Sequence, residues 1–515
     1  MVYLDIIDSK PQVEPQIQLP HPGTLRKLIL VASIAAGVQF GWALQLSLLT
    51  PYTQLLGLAH KWASLVWLCG PISGLVVQVI IGHHSDRCTS RFGRRRPFIL
   101  CGAISLSIGV LLIGYAADIG RYFGDSLTVG DRRRAATIFV IGFWLLDISN
   151  NIIQGPTRAL LADISGDNDA LVTTGNALFA FFMAVGNIMG YAAGASDQLH
   201  RYFPFTTTEA CDQSCANIKT CFLLSVVLIA TIVSFVVVAV KEEVLDPFYV
   251  DYMQESSCDD QKTPSFFMQI LIAAKGTSRP MWILYMVTAF NWVGLFPFLL
   301  YDTDWMGKEV YGGNVMGNED QVSLYSLGVH AGSLGLMLHV VTMGCVSLFL
   351  EPLIRFLGDV KRLWSIGNVV LAICMGLTVV ISIIAENARK GVVLALGTSL
   401  APPPLQVKVY CYVLFALFGI PQAVTYSVPF ALASIYSKDS GTGQGLALGL
   451  LNLAIVIPQM GVTLISGPLD ALFGGSNLPA FVFGGIAAAL GGFAALQLPD
   501  PVWEMPRAIS RVLIP

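Results

Sequence analysis

Between Trp144 and Arg158 the chain reads WLLDISNNIIQGPTR, setting an aspartate, two asparagines, a glutamine and an arginine inside an apolar stretch. At 3.6 residues per turn, Asp147, Asn150, Asn151, Gln154 and Arg158 fall along one side of a helix, a stripe about three turns long. A charged side chain at mid-membrane costs at least ~2.5–3.5 kcal/mol, so the stripe needs a water-filled cavity or a tight partner. Asp147 and Arg158 sit roughly 16 Å apart along the axis, too far to pair within one helix. An ion pair that merely locks two helices is the plain alternative. Recognition of a neutral polyol suits the set better. Hydroxyls both donate and accept, so amides match them, while a carboxylate and a guanidinium make stronger, charge-assisted bonds. A carboxylate in an apolar cavity can also take up and release a proton as its surroundings change.

Other residues could complete such a site. Trp42 and Gln45, and Asn291 with Trp292, pair an aromatic face with an amide, although a lone tryptophan in a membrane helix is more often an anchor or packing residue. The run Tyr301-Asp302-Thr303-Asp304-Trp305-Met306-Gly307-Lys308-Glu309 reads as a solvated rim at a helix end, or as an outer gate with Asp304, Lys308 and Glu309. It also offers a partner for Arg158. His60, beside Lys61 and Trp62, reads as an exposed loop histidine or an entrance residue. Asp86 and the basic run Arg91 to Arg96, with Arg94 and Arg95 at its centre, read as a topology signal and as an inner gate.

These residues need elements that place them in a bilayer. The 515 residues are 54% hydrophobic and only 12% charged, about half the charge of a soluble domain, so the chain is a polytopic membrane protein. The net charge of −3 gives no basis for nucleic-acid binding, and no nucleotide or metal motif appears. Apolar runs begin near Leu28, Ala63, Pro97, Ala135, Thr174 and Thr220, then near Met281, Ser326, Leu363, Val409, Gly445 and Pro479. The first is too long for a signal-peptide core. The expected organisation is all-α, with twelve transmembrane helices in two six-helix halves. It comprises a cytosolic tail (1–25), a six-helix bundle (26–240), a cytosolic linker (241–276), a second bundle (277–498) and a cytosolic tail (499–515). Lys/Arg bias puts the Arg87–Arg96 loop, and the loop with Arg355, Lys361 and Arg362, in the cytosol. Arg132, Arg133 and Arg134 then fall on the outer side, against the rule. Cys211, Cys215 and Cys221 cluster near a polar loop, where one disulfide is expected if the loop faces an oxidising space, with the pair left open.

The halves echo each other. Arg91-Phe92-Gly93 corresponds to Arg355-Phe356-Leu357-Gly358, and Gly155-Pro156 to Val428-Pro429. Such paired halves build the major facilitator architecture, with substrate near the midplane between them. Aligning Pro156 with Pro429 sets Ile420 and Ala431 against Asp147 and Arg158, so the charges are confined to the first half.

Ser85-Asp86-Arg87 with Arg91-Phe92-Gly93-Arg94-Arg95-Arg96-Pro97 is one recognisable motif, and the stretch Ala35 to Gln45 is another. Together with the Asp147–Arg158 stripe, Asp302 to Gly307, and Gly443-Gln444-Gly445 leading to Asn452, they make nearly the whole chain resemble plant proton–sucrose symporters. These form part of the glycoside-pentoside-hexuronide group of the major facilitator superfamily. The resemblance implies symport of sucrose with one proton by alternating access, with no other cofactor and no enzymatic reaction. It makes Asp147 the proton acceptor and donor and Arg158 the substrate-linked arginine, with His60 near the sugar route. It gives Asp304, Lys308 and Glu309 roles in transport, although relatives often have Arg where Lys308 stands. The implied setting is the lipid bilayer of the plasma membrane, with the vacuolar membrane as the alternative. A monomer or an oligomer would serve. Sodium coupling, a different glycoside and a sensor that does not transport are the competing readings.

Overall fold

A computed structural model describes residues 22–55, 69–125, 132–194, 199–211, 213–242, 277–314, 318–396, 401–440, 443–473 and 476–499. Within them every apolar run is a helix, as it must be where no water can satisfy a free backbone N–H or C=O. The first span is broken at Ser33 into Pro22–Ala32 and Ile34–Leu55, and the second is Cys69–Asp86. The third is Arg96–Gly114, the fourth Arg133–Ser165, the fifth Asp169–Gly194 and the sixth Gln213–Ala239. The seventh, Arg279–Trp305, runs on through a π turn, Met306–Val310. The eighth to twelfth are Glu319–Leu348, Val360–Leu396, Leu405–Ser440, Gln444–Leu472 and Leu478–Ala495. Short helices Ala116–Tyr122, Leu199–Tyr202 and Leu350–Leu357 lie between spans.

Eleven helices among the described residues are long and apolar enough to cross a membrane. Cys69–Asp86 occupies the place of the second expected span, whose first residues, from Ala63, lie outside the described set with His60 and the linker beyond Glu242. Most spans overrun their apolar cores. The fourth, at 33 residues, is about 50 Å long against a hydrocarbon layer of ~30 Å, so its polar ends stand clear of lipid.

Packing brings the ends of the sequence together. The second span lies along the eleventh, and the fifth lies along the eighth and tenth. The second and eleventh touch backbone to backbone: a Cβ on Gly82 would run into the carbonyl of Gly445, so only glycine allows that approach. The fourth span crosses the eleventh and tenth at the centre. Its apolar back, with Phe139, Phe143, Leu146 and Ile153 all buried, packs into the core shared with the first, third and sixth spans. That packing fixes which way the polar stripe points.

At the span-seven terminus the helix continues to Val310 and buries Asp302, Trp305, Met306, Gly307 and Val310, while Asp304, Lys308 and Glu309 stay partly exposed. The Trp305 indole N–H donates to Ser382 Oγ at 2.8 Å, which anchors the turn inside the bundle.

Candidate functional site

Arg158 is 4% exposed, and its setting is unusually complete. Its Nη1 donates to Asn176 Oδ1 of the fifth span at 2.8 Å. Its Nη2 donates to the Tyr426 carbonyl of the tenth span at 3.1 Å and lies 3.8 Å from Met183 Sδ. The guanidinium is clamped between two rings, 4.1 Å from the Phe179 centroid and 3.6 Å from that of Phe430. Pro429 lacks the N–H that would bond back into the preceding turn, which loosens the tenth helix where Tyr426 offers its carbonyl. Asn176 is fixed in turn by donating to the Val172 carbonyl at 3.0 Å. Two halves therefore share one arginine.

The rest of the stripe divides. Asp147 is buried, with a carboxylate oxygen facing Gly70 of the second span. Asn150 is buried, and its Oδ1 finds no protein partner. Gln154 is half-buried on the same side. Asn151 turns to the second span instead: its amide donates to Ser73 Oγ at 3.0 Å and accepts from Gln78 Nε2 at 2.8 Å. An amide so fully used is a helix-packing group. The uniform spacing of the stripe had not distinguished Asn151 from Asn150.

Among the other predicted ligands, Trp42 is half-buried in the first span, while the side chain of Gln45 lies outside the described residues. Asn291 donates to Asn368 Oδ1 of the ninth span at 2.9 Å, and its own Oδ1 finds no hydrogen-bond partner. Its neighbour Trp292 points to the centre and stacks on Tyr426, with centroids 5.8 Å apart. Asp304 is not the partner of Arg158. It holds Lys308 at 2.7 Å and accepts from Tyr325 Oη and Asn477 Nδ2, both at 2.8 Å. Glu309 accepts from Ser476 Oγ at 2.7 Å rather than pairing with Lys308. These contacts stay within the second half of the chain.

At the end that carries the basic loop, contacts run from half to half. Asp86 accepts from the backbone N–H groups of Gly445 at 3.0 Å and Leu446 at 2.9 Å, at the start of the eleventh span. The same carboxylate lies 2.6 Å from Nη2 of Arg95 in an ionic contact, off the line of a hydrogen bond. Arg95 is fully buried and also pairs with Asp163 at 3.1 Å and donates to Ser85 Oγ at 2.6 Å. Burial opposes its charge, but Asp86 and Asp163 outweigh burial and strengthen its hold on the proton. Arg94 reaches Asp163 at 2.6 Å. Glu242, beyond the sixth span, accepts from the N–H groups of Arg95 at 2.9 Å and Arg96 at 3.2 Å. Burial raises its carboxyl above the ordinary 4.5, against the pull of those two N–H groups. Gly93, at φ +99°, brings the loop against Glu242. Lys438 bonds the Gly166 carbonyl and lies 3.5 Å from Asp169, and Glu351 accepts from Thr174 Oγ1 at 3.1 Å; farther along the second span, beside Asn151, Asn452 donates to the Gly74 carbonyl at 2.7 Å.

At the opposite end Cys211 and Cys215 form a disulfide and Cys221 is a buried free thiol. The arginines that broke the charge rule belong to this cap. Arg132 donates to the Ala210 carbonyl at 3.1 Å, Asp125 accepts from the backbone of Arg134 and Ala135, and Asp118 pairs with Lys219.

A profile of the family described as "MFS/sugar transport protein" matches residues 29–302. The chain is 46% identical to the sucrose transport protein SUC4 of Arabidopsis thaliana over 95% of its length and 92% of the relative's. It is likewise 46% identical to the sucrose transport protein SUT2 of Oryza sativa subsp. japonica, with 92% of each chain covered. In structure it is similar to the transporter FucP in its outward conformation. The TM-score is 0.60 at 14% identity, with 93% of this chain and 99% of the other covered.

Proposed function

Because this chain belongs to the plant sucrose transporters of the major facilitator superfamily, we propose that it imports sucrose together with a proton by alternating access. The observation that carries the reading is the Arg158 site: a buried guanidinium that bridges the halves at the level where substrate binds in this architecture. Arg158 and Gln154 take sugar hydroxyls with the orphaned oxygen of Asn150, and the ring of Phe430 covers an apolar sugar face. Asp147 takes the coupling proton. The inner gate is the Asp86–Arg95 cluster with Lys438 and Glu351. Its closure favours a state open to the other side. The Asp304–Lys308–Glu309 group shapes the outer approach, with His60 as a further residue there.

The disulfide cap supports the proposed orientation. A Cys211–Cys215 bond belongs in an oxidising space, which argues that the Arg132 end faces outward and that both termini are cytosolic. Arg132 is tied into that cap through the Ala210 carbonyl, and the Arg134 backbone through Asp125. Two six-helix halves, joined by the 241–276 segment, move against each other in the bilayer, and the plasma membrane is the membrane proposed.

Sucrose-evoked current in oocytes, at two external pH values, tests the mechanism. The wild type should give an inward current that grows as pH falls, and currents that follow sodium would exclude the proton. Asp147→Asn should bind sucrose yet lose accumulation against a gradient. Normal uphill uptake by that variant would refute Asp147 as the coupling site.

A further inference from the structure

Every fourth residue of the tenth span, Phe418, Gln422, Tyr426 and Phe430, lies on one face of the helix. Each meets a different feature of the protein's centre. Phe418 stacks on Phe298, with centroids 3.7 Å apart, and Phe298 in turn lies 5.6 Å from the His339 ring. Gln422 faces His339 on one side and the Tyr426 hydroxyl on the other. Tyr426 stacks on Trp292, and Phe430 covers Arg158. Tyr426 and Phe430 stay half-buried although they sit between the two halves, which marks them as lining an internal space.

The polar atoms of this face are strangely idle. Gln422 is 7% exposed and Trp292 is 5% exposed, yet Trp292 Nε1 finds no hydrogen-bond partner, and Gln422 Oε1, beside His339, makes no hydrogen bond of good geometry. Both ring nitrogens of His339, behind Gln422, also lack a hydrogen bond of good geometry. Buried polar groups are nearly always satisfied, so an acceptor and a donor left open on one face mark a place where a hydroxylated molecule bonds. Gln422 lies two turns from Phe430, so it stands about 12 Å along the helix from the level of Arg158. That interval exceeds one sugar ring and is comparable to two.

We propose that Gln422 and Trp292 form a second ring subsite in the C-terminal half, and that it selects a disaccharide over a single-ring sugar. The proposal rests on the sucrose-transport reading and adds specificity residues to it. The Arg158 end grips one ring by itself. Gln422 and the Trp292 N–H bond hydroxyls of the other ring, and the Tyr426–Trp292 stack supports the wall between them.

The test is equilibrium binding to the purified full-length protein, with sucrose and the one-ring methyl α-D-glucopyranoside as probes. Gln422→Met keeps size and removes the amide, and Trp292→Phe keeps a ring on Tyr426 and removes the N–H. Each should weaken sucrose about tenfold, as for a buried hydrogen bond left unpaired, and leave the glucoside within about twofold. Retained glucoside binding also shows that the variants are folded. Unchanged sucrose affinity in both variants, or equal loss for both sugars, would overturn the subsite. So would a wild type that binds sucrose but not the glucoside. A wild type that binds neither sugar would instead overturn the transport reading beneath it.

Discussion

Substitution of Asp86 by asparagine isolates the inner gate. The carboxylate spans the halves through the N–H groups of Gly445 and Leu446, at 3.0 and 2.9 Å. Its ionic contact with Arg95 stays inside the N-terminal half and survives gate opening, so it does not bias the equilibrium. Each charge-assisted bond is worth about 1.5–3 kcal/mol. Asparagine keeps one neutral acceptor oxygen, so the closed gate should lose ~2–4 kcal/mol, a shift of roughly 30- to 1,000-fold toward opening at this end. The assay is the distance between spin labels introduced by Phe92→Cys, 71% exposed in the basic loop, and Phe356→Cys, 87% exposed on the short helix Leu350–Leu357. Cys88, Cys101 and Cys345, the free thiols not fully buried among the described residues, are replaced beforehand together with Cys69 and Cys258. Asp86→Asn should convert a short-distance distribution into one dominated by a longer distance, without sugar. An unchanged distribution in protein that still binds sucrose would refute Asp86 as a gate residue.

Three further outcomes follow from the geometry. Arg158→Ala removes the guanidinium that would offer charge-assisted bonds to sugar hydroxyls and should cost about 100-fold or more in sucrose affinity; unchanged affinity refutes Arg158 as a ligand. Glu242 has a carboxyl raised above 4.5, so its contribution is full below that value and is lost as pH rises through the raised one. The thermal stability of wild type relative to Glu242→Gln should therefore fall as pH rises from about 4.5 through that raised value, and a flat difference counts against a buried carboxyl. Cys211 and Cys215 close a loop with a sequence separation of 4, so replacing both with serine should cost about 2 kcal/mol and lower the melting temperature while transport persists. No shift on replacement or reduction would mean that the cap needs no staple.

What the sequence disclosed follows from the solvent that each part meets. Lipid enforces long apolar runs, so the spans, their order and the polar stripe were legible by eye. Direction within an apolar span was not. Asn291 and Trp292 are adjacent, and nothing in a helix that is apolar on every side indicates that Trp292 faces the centre while Asn291 faces Asn368. Partners supplied by distant helices were hidden for the same reason. Asn176 and Phe430 complete the Arg158 site, and Asp163 and Glu242 complete that of Arg95, yet each is one polar or aromatic residue in a long sequence. An intramembrane asparagine such as Asn176 was itself a signal, since polar side chains at that depth need a partner. At the end of the seventh span Asp302 reads as a solvent charge like its neighbours, whereas the helix runs on through the π turn and buries it.

The position of Arg158 explains why the charges can be confined to one half. Asn176 and Phe179 belong to the N-terminal half and move with Arg158, but the Tyr426 carbonyl and Phe430 belong to the other. Any motion that separates the halves at this level breaks one bond and one ring contact of the guanidinium and leaves the others. The donor so released has lost its bond in a buried place, where an unpaired charged group is costly. A sugar hydroxyl offers the replacement, and so does the Asp147 carboxylate through solvent in the cavity. On the proposed symport reading, sugar and proton would meet one arginine whose bonding depends on the separation of the halves. No second arginine–aspartate pair is required in the tenth span, where Ile420 and Ala431 stand. The C-terminal half contributes a carbonyl, a ring face and its own open polar atoms, and these suffice because a neutral sugar needs shape and hydrogen bonds more than charge.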